Sequence, residues 1–248
     1  MGQKLVAATL ADPALQLVAA VDMPTHPKLG QDAGTIAGVG PAGVVLTGDL
    51  AVEADAVIDF SLPAGMERIT QTCLARRVPL VVATTGLSAA QVEALRAAAQ
   101  QIPVVWAPNM SVAVNLGLKL ARVAAEALKD KDADVEILER HHRFKEDSPS
   151  GTALKFGEII AAAMGQTIQR HGREGRPGRR PHEEIGYHAI RTGDNPGEHT
   201  IVFGMIGETL ELTVRANRDC YAAGAMAAAK FLAGKPAGLY SMFDVLGL

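Results

Sequence analysis

Residues 135–154 read VEILERHHRFKEDSPSGTAL. The segment opens as a strand, with Val135 and Ile137 apolar, Leu138 beside them, and Glu136 and Glu139 polar. It closes as a helix start, because Pro149 and Ser150 precede a helical pattern and Gly151 and Thr152 fall in its first turn. Between the two elements stand His141, His142, Lys145 and Asp147. Histidine exchanges protons near neutral pH, and a strand-exit loop carrying two histidines and a lysine has groups for proton transfer. Backbone N–H groups at a helix start bind anions, carboxylates included. A proton donor beside a carboxylate cradle suits a small acidic substrate. Taken singly, each part is ordinary: a histidine pair on a loop is commonly solvated, and SPSGT is a common helix N-terminus. Their convergence within a dozen residues gives the segment its functional reading.

A length of 248 residues accommodates one large or two modest domains. With 48% hydrophobic residues, 21% charged residues and a net charge of −3, nothing pulls the chain toward nucleic acid or membrane. Cys73 and Cys220 make neither a disulfide framework nor a metal site, so no metal is expected. No signal-peptide pattern and no long apolar span is present, which places the chain in the cytoplasm.

Upstream, the pattern is expected to run helix 2–11, strand 15–21, a long Gly/Pro-rich loop over 23–48 holding a short strand at 44–46, then strand 56–60. A helix through 75, strand 78–83, a helix over 89–101 capped by Ser88, and strand 103–107 follow. Strands alternating with helices make βαβ units and a Rossmann-like parallel sheet, an α/β fold. Such sheets bind ligands at the carboxyl ends of their strands. Small polar residues lie there: Asp59-Phe60-Ser61, Ala83-Thr84-Thr85-Gly86 and Ala107-Pro108-Asn109. Each is equally readable as a plain βα turn. Asp22, ending an early strand, fits either the ribose-binding acid of a dinucleotide fold or a turn cap.

From residue 112 the texture changes. A long helix over 113–128 precedes the opening segment, which continues as a helix over 152–164 stopped by Gly165. Residues 170–184 form a basic loop broken by Gly and Pro. Strands over 186–191, 199–205 and 209–216 alternate in antiparallel fashion, and a helix over 222–233 leads to a short tail at 240–246. The expected division is a dinucleotide-binding domain of residues 1–111 and 222–248, and an α+β domain of residues 112–221 with a largely antiparallel or mixed sheet.

The string ERHHRFKEDSPSGTA resembles the signature of bacterial dihydrodipicolinate (4-hydroxy-tetrahydrodipicolinate) reductases, enzymes of lysine and diaminopimelate synthesis. The resemblance continues through VIDFS, ATTGLS, APNMSVAVN, REGRPG, IRTGDNPGEHT and GLYSMFDVL. It implies reduction of a small cyclic dicarboxylate by NADH or NADPH, and a homotetramer built through the second domain's sheet. It implies His141 as acid/base and Lys145 as proton donor, with His142, Ser150, Gly151 and Thr152 on the substrate. Asp22, Ala83, Thr84, Thr85, Ala107, Pro108, Asn109 and Met110 match its cofactor side.

Two departures from the family's pattern stand out. Met1-Gly2 match the end of the family's G-x-x-G-x-M-G loop, so the first strand and most of that loop, roughly fifteen residues, are missing. A misassigned start is expected, and the chain as written is expected to fold poorly or bind dinucleotide weakly. Met23 stands after Asp22 where many members carry an arginine, which favours NADH over NADPH. Other readings are another Rossmann-type dehydrogenase, a non-catalytic dicarboxylate-binding remnant, or nucleic-acid binding through Arg170, Arg173, Arg176, Arg179 and Arg180. A mobile loop closing over an acidic substrate explains those arginines more simply. Of the other histidines, His199 is the next candidate for a role.

Overall fold

The computed structural model describes residues 1–248. In chain order the elements begin with α1 (Gly2–Ala11), β1 (Ala20–Val21), α2 (Ala33–Ala37), β2 (Leu46–Thr47), β3 (Val57–Asp59), α3 (Pro63–Arg76), β4 (Leu80–Val82), α4 (Ala89–Ala99), β5 (Pro103–Trp106) and α5 (Val112–Leu128). They continue with β6 (Asp134–His141), α6 (Gly151–Met164), β7 (Ile168–His171), β8 (Glu184–Arg191), β9 (Glu198–Met205), β10 (Glu208–Arg215), α7 (Asp219–Leu232), β11 (Gly238–Tyr240) and α8 (Met242–Leu246). Two compact units divide the chain: Met1–Val112 with Arg218–Leu248, and Ala113–Asn217.

The first unit is a Rossmann-like α/β layer structure. Its main sheet is parallel, in the order β11-β5-β4-β3. An apolar run with no alternation marks a strand covered on both faces, and Leu80, Val81 and Val82 of β4 are completely buried. Successive side chains supply the two faces. Leu80, Val82 and Val104 pack with Met66 and Cys73 of α3 and Leu95 of α4. Val81 and Val105 pack with Ala225, Ala228 and Leu232 of α7 and Met242 of α8. Ser88 caps α4 through a reciprocal box with Gln91, as its sequence position predicts.

β1 and β2 form a separate parallel pair. The expected strand over 15–21 shrinks to two residues, because β1 has only the two residues of β2 as a ladder. The expected loop over 23–48 holds a helix, α2, too short to show periodicity. Asp32 sets it, accepting N–H bonds from Thr35, Ala42 and Gly43. The expected tail forms β11, a further parallel strand beside β5, and α8, capped by Ser241.

The second unit is a five-stranded mixed sheet, order β10-β9-β6-β8-β7, packed against α5 and α6. β8 and β9 follow each other in sequence but are not neighbours. β6 lies between them, parallel to β8 and antiparallel to β9, so the expected antiparallel alternation holds only for β9 and β10. Along β6, Val135, Ile137, Glu139 and His141 share the buried face. Glu139 is therefore an interior residue, only 2% exposed, although its charge reads as surface.

The basic segment is clasped to the other face of the sheet. Arg173 forks onto Glu136 at 2.5 and 3.0 Å and reaches Glu184, Arg170 binds Glu184, and Arg180 binds Glu136 and Asp134. His188 closes on the same Glu136 at 2.7 Å. Gly186 makes the room, since a Cβ there would lie 1.9 Å from Glu136 Oε2. Arg170, Arg173 and Arg180 thus serve the sheet rather than a freely closing lid.

Candidate active site

The alternation that buries Glu139 also places His141 on the inner face at the last position of β6. Strand register brings in the partners: His141 lies opposite Arg191 of β8, and Glu139 opposite His199 of β9. His141 Nδ1–H donates to Glu139 Oε2 at 2.5 Å. Arg191 donates to both Glu139 oxygens, at 2.8 and 2.7 Å, in the forked geometry guanidinium suits. The Ser150 backbone N–H adds a further donor to Oε1 at 3.1 Å. His199 sets its ring edge against His141, with centroids 5.1 Å apart. His141 Nε2 faces Gly197, where a Cβ would come within 3.2 Å.

The electrostatics follow from this packing. Burial opposes charge on Glu139, but hydrogen bonds from Arg191 and His141 overcome it and hold the carboxyl below its usual range. Burial lowers the His141 pKa, Glu139 pulls it back up, and the Lys145 and Arg191 charges lower it further, leaving a net decrease. Burial, with the nearby His141, drives His199 down to about 4.

The other sequence candidates surround this cluster. Lys145 Nζ donates to Asp147 Oδ1 at 2.7 Å, and Arg191 donates to the Asp147 carbonyl, also at 2.7 Å. Lys145 holds the Asp147 carboxyl below its usual range. His142 Nδ1 is buried without a protein partner. Ser150 caps α6, its Oγ accepting the Ala153 N–H at 3.2 Å. Gly151 and Thr152 open the helix; a Cβ on Gly151 would meet nothing within 4 Å, so a ligand can approach the backbone there.

The remaining candidates belong to the first unit. Asp22 follows β1, exposed, with Oδ1 accepting the Met23 N–H at 2.7 Å. Arg68 of α3 secures the same turn by donating to the Asp22 carbonyl and to Asp49. After β4, Ala83 and Thr84 are buried and Thr85 is exposed. Thr84 Oγ1 donates to Asp59 Oδ2 at 2.5 Å, joining the ends of β3 and β4. After β5, Ala107 and Met110 are buried, Pro108 is exposed, and Asn109 Oδ1 accepts the Ser111 N–H at 2.9 Å. These residues fit a nicotinamide nucleotide: they sit past the carboxyl ends of parallel strands, with an exposed acid for a ribose and a turn opened by Gly86 at φ +73°.

Three contributors escape the sequence reading as site residues: Glu139, Arg191 and Arg68. Period-two alternation from Val135 exposes the first. Arg191 and Arg68 act 52 and 46 residues away from the groups they hold, where no local pattern can find them.

Comparison with known proteins agrees over both units. Residues 1–110 match the family described as dihydrodipicolinate reductase, N-terminus, and residues 113–246 the one described as dihydrodipicolinate reductase, C-terminus. The chain is 58% identical to the 4-hydroxy-tetrahydrodipicolinate reductase of Rhodopirellula baltica, the match spanning all of this chain and 92% of that protein. It is 48% identical to the enzyme of that name in Alkalilimnicola ehrlichii, over all of this chain and 95% of the relative. The fold is similar to the solved dipicolinate-bound dihydrodipicolinate reductase of Paenisporosarcina sp. TG-14, with TM-score 0.78 and 25% identity over 98% of this chain and 94% of the other. With both halves matched and high identity along its whole length, the chain belongs to the dihydrodipicolinate reductase family.

Proposed function

We propose that His141 and Lys145 carry the proton chemistry of this chain, and that His142, Gly151 and Thr152 hold a carboxylate of its substrate, while Ser150, with its N–H on Glu139 and its hydroxyl on His199, places the helix start. The chain is an oxidoreductase that reduces 4-hydroxy-tetrahydrodipicolinate to tetrahydrodipicolinate in lysine and diaminopimelate synthesis. The product has gained a hydride and a proton and lost a water. The bound nicotinamide nucleotide supplies the hydride. Asp22, Ala83, Thr84, Thr85, Ala107, Pro108, Asn109 and Met110 are the residues that would hold it. With Nδ1–H committed to Glu139, His141 has Nε2 to take a proton from solvent and pass on to substrate. Lys145 supplies a second proton source and a cation for the substrate carboxylates.

The observation that carries this reading is the buried Glu139–His141 bond in a cluster closed by Arg191 and His199. Following NAD(P)H oxidation at 340 nm with enzymatically generated substrate tests it. Turnover by wild type, and its loss in Lys145→Met and His141→Gln, are expected. Undiminished turnover in both variants would refute the residue roles.

NADH is the favoured cofactor, because Met23 offers no cation for a 2′-phosphate and His26 Nδ1 is engaged by the Lys28 N–H. A kcat/KM ratio in favour of NADPH would overturn this choice. A homotetramer formed through the second unit's sheet is supported by the face away from α6. Register puts Leu138, Thr200 and Thr213 side by side there, with Ile190 and Arg140 in the adjoining row. Leu138 and Ile190 are 36% and 42% exposed, apolar surface suited to burial between copies. Light scattering should give four times the 26.0 kDa chain mass, and a monomer would contradict the proposal. No helix is long and apolar enough to cross a membrane. We place the enzyme in the cytoplasm, where nicotinamide nucleotides are held.

A further inference from the structure

We infer that Glu139 and Arg191 are positioning residues: Glu139 fixes the His141 ring with its proton on Nδ1, and Arg191 locks Glu139 in place, so that Nε2 is the proton-exchanging atom. This deepens the proposed function and rests on His141 being its acid/base.

The bond pattern leaves Glu139 no second orientation. Oε2 accepts from His141 Nδ1–H and Arg191 Nη1, and Oε1 from Arg191 Nη2 and the Ser150 N–H. Rotating the carboxylate would break bonds to all three residues. A carboxylate cannot donate, so the atom facing it must be Nδ1–H. Nε2 is left with its lone pair on the side that Gly197 keeps open. Arg191 has a second task. Its Nη2 also donates to the Asp147 carbonyl, and Asp147 holds Lys145 at 2.7 Å, so one guanidinium registers both proposed proton-transfer groups. The charged and titratable groups facing His141 are Glu139 on its own strand, Arg191 on β8, His199 on β9, and Lys145 with Asp147 on the connecting loop.

Burial of the Glu139–Arg191 pair is not explained by stability alone. Desolvation offsets much of the attraction in a buried ion pair, and an apolar pair of similar volume often does as well. Tautomer control gives the pair a use that an apolar pair cannot supply.

The test is nitrogen-15 NMR of the histidine rings in the substrate-free full chain, with His141→Gln assigning the His141 signals. Wild type should show His141 as the Nδ1–H tautomer. In Glu139→Gln, the carboxamide oxygen is drawn to Arg191 and its NH2 faces Nδ1, so the ring should flip to Nε2–H. A drop in kcat on the order of 10²-fold is expected there, with KM changed less than about threefold. The kcat–pH profile should also move to lower pH, because the imidazolium loses its counter-charge. Glu139→Asp keeps the charge and should restore Nδ1–H and most of the lost kcat. Should the Gln variant fail to fold, Arg191→Lys, which keeps the charge and loses the fork, should give a mixture of tautomers and about tenfold lower kcat. An unchanged tautomer in Glu139→Gln, or in Arg191→Lys where that variant carries the test, would overturn the inference. The ring signals need no turnover, so a flip in a chain whose His141→Gln variant keeps full activity would sustain the positioning role while refuting the catalytic one.

Discussion

The Ser150 hydroxyl stands 2.9 Å from His199 Nε2, joining the cap of α6 to the middle of the sheet. Ser150 Oγ accepts the Ala153 N–H, so its own proton is free to donate to the ring. At 5% exposure, burial keeps the His199 ring neutral. The start of α6 is therefore anchored from behind by a histidine that burial keeps uncharged.

Stability should fall with acid because of this ring. The His199 pKa is depressed from 6.5 to about 4, first by burial. Above pH 6.5 the ring is neutral folded or unfolded, and its contribution is complete. Below 6.5 the unfolded chain binds the proton first, so stability declines until the folded ring protonates near 4. The full loss is about 3 kcal/mol, at about 1.4 kcal/mol per pH unit. Denaturant midpoints measured from pH 7 to 4 should show this decline, and His199→Asn should flatten it. His141, also lowered, keeps the variant's slope above zero. An unaltered slope in the variant would contradict the assignment.

Gly157 is where α6 can approach β8. A Cβ there would lie 1.7 Å from the Tyr187 hydroxyl and 2.7 Å from Cζ, and Tyr187 is 2% exposed with nowhere to move. Gly157→Ala should cost about 2–3 kcal/mol as an overpacked core. Thermal melting should fall by about 5–10 °C. Adding Tyr187→Phe should recover only part of it, because the ring carbon still crowds the methyl. A melting temperature unchanged by Gly157→Ala would show that the helix can shift without penalty.

What the sequence reveals depends on how far each determinant reaches. The β4 run, the Ser88 box and the Gly165 stop are local, and all three appear where the residues place them. The site stretch 135–154 is also local, so its strand, loop and capped helix were legible. β1 is shorter than its apolar run because strand length is set by its partner. Insertion of β6 between β8 and β9 is a topological fact with no short-range signal. That insertion brings Arg191 and His199 to Glu139 and His141 from opposite sides, so the sequence offers His199 only as a candidate and gives no sign of Arg191. The roles of Arg173 and Arg180 are hidden for the same reason: Glu136 and Asp134, which they bind, lie more than thirty residues earlier.

Cofactor choice should respond to one side chain. Met23 is 52% exposed beside Asp22 and offers a 2′-phosphate nothing to pair with. Met23→Arg should raise kcat/KM for NADPH about tenfold, as one charge-assisted contact allows, while leaving the NADH value within about threefold. Steady-state kinetics with both nucleotides checks it. No gain with NADPH would mean that this position does not face the ribose.

In the proposed mechanism His141, held by Glu139, transfers the proton. The most direct measurement is kcat for His141→Gln against wild type at saturating substrate and cofactor, with circular dichroism confirming the fold. A fall of about 10²–10⁴-fold with little change in KM is the predicted result. A kcat within about threefold of wild type would contradict the claim.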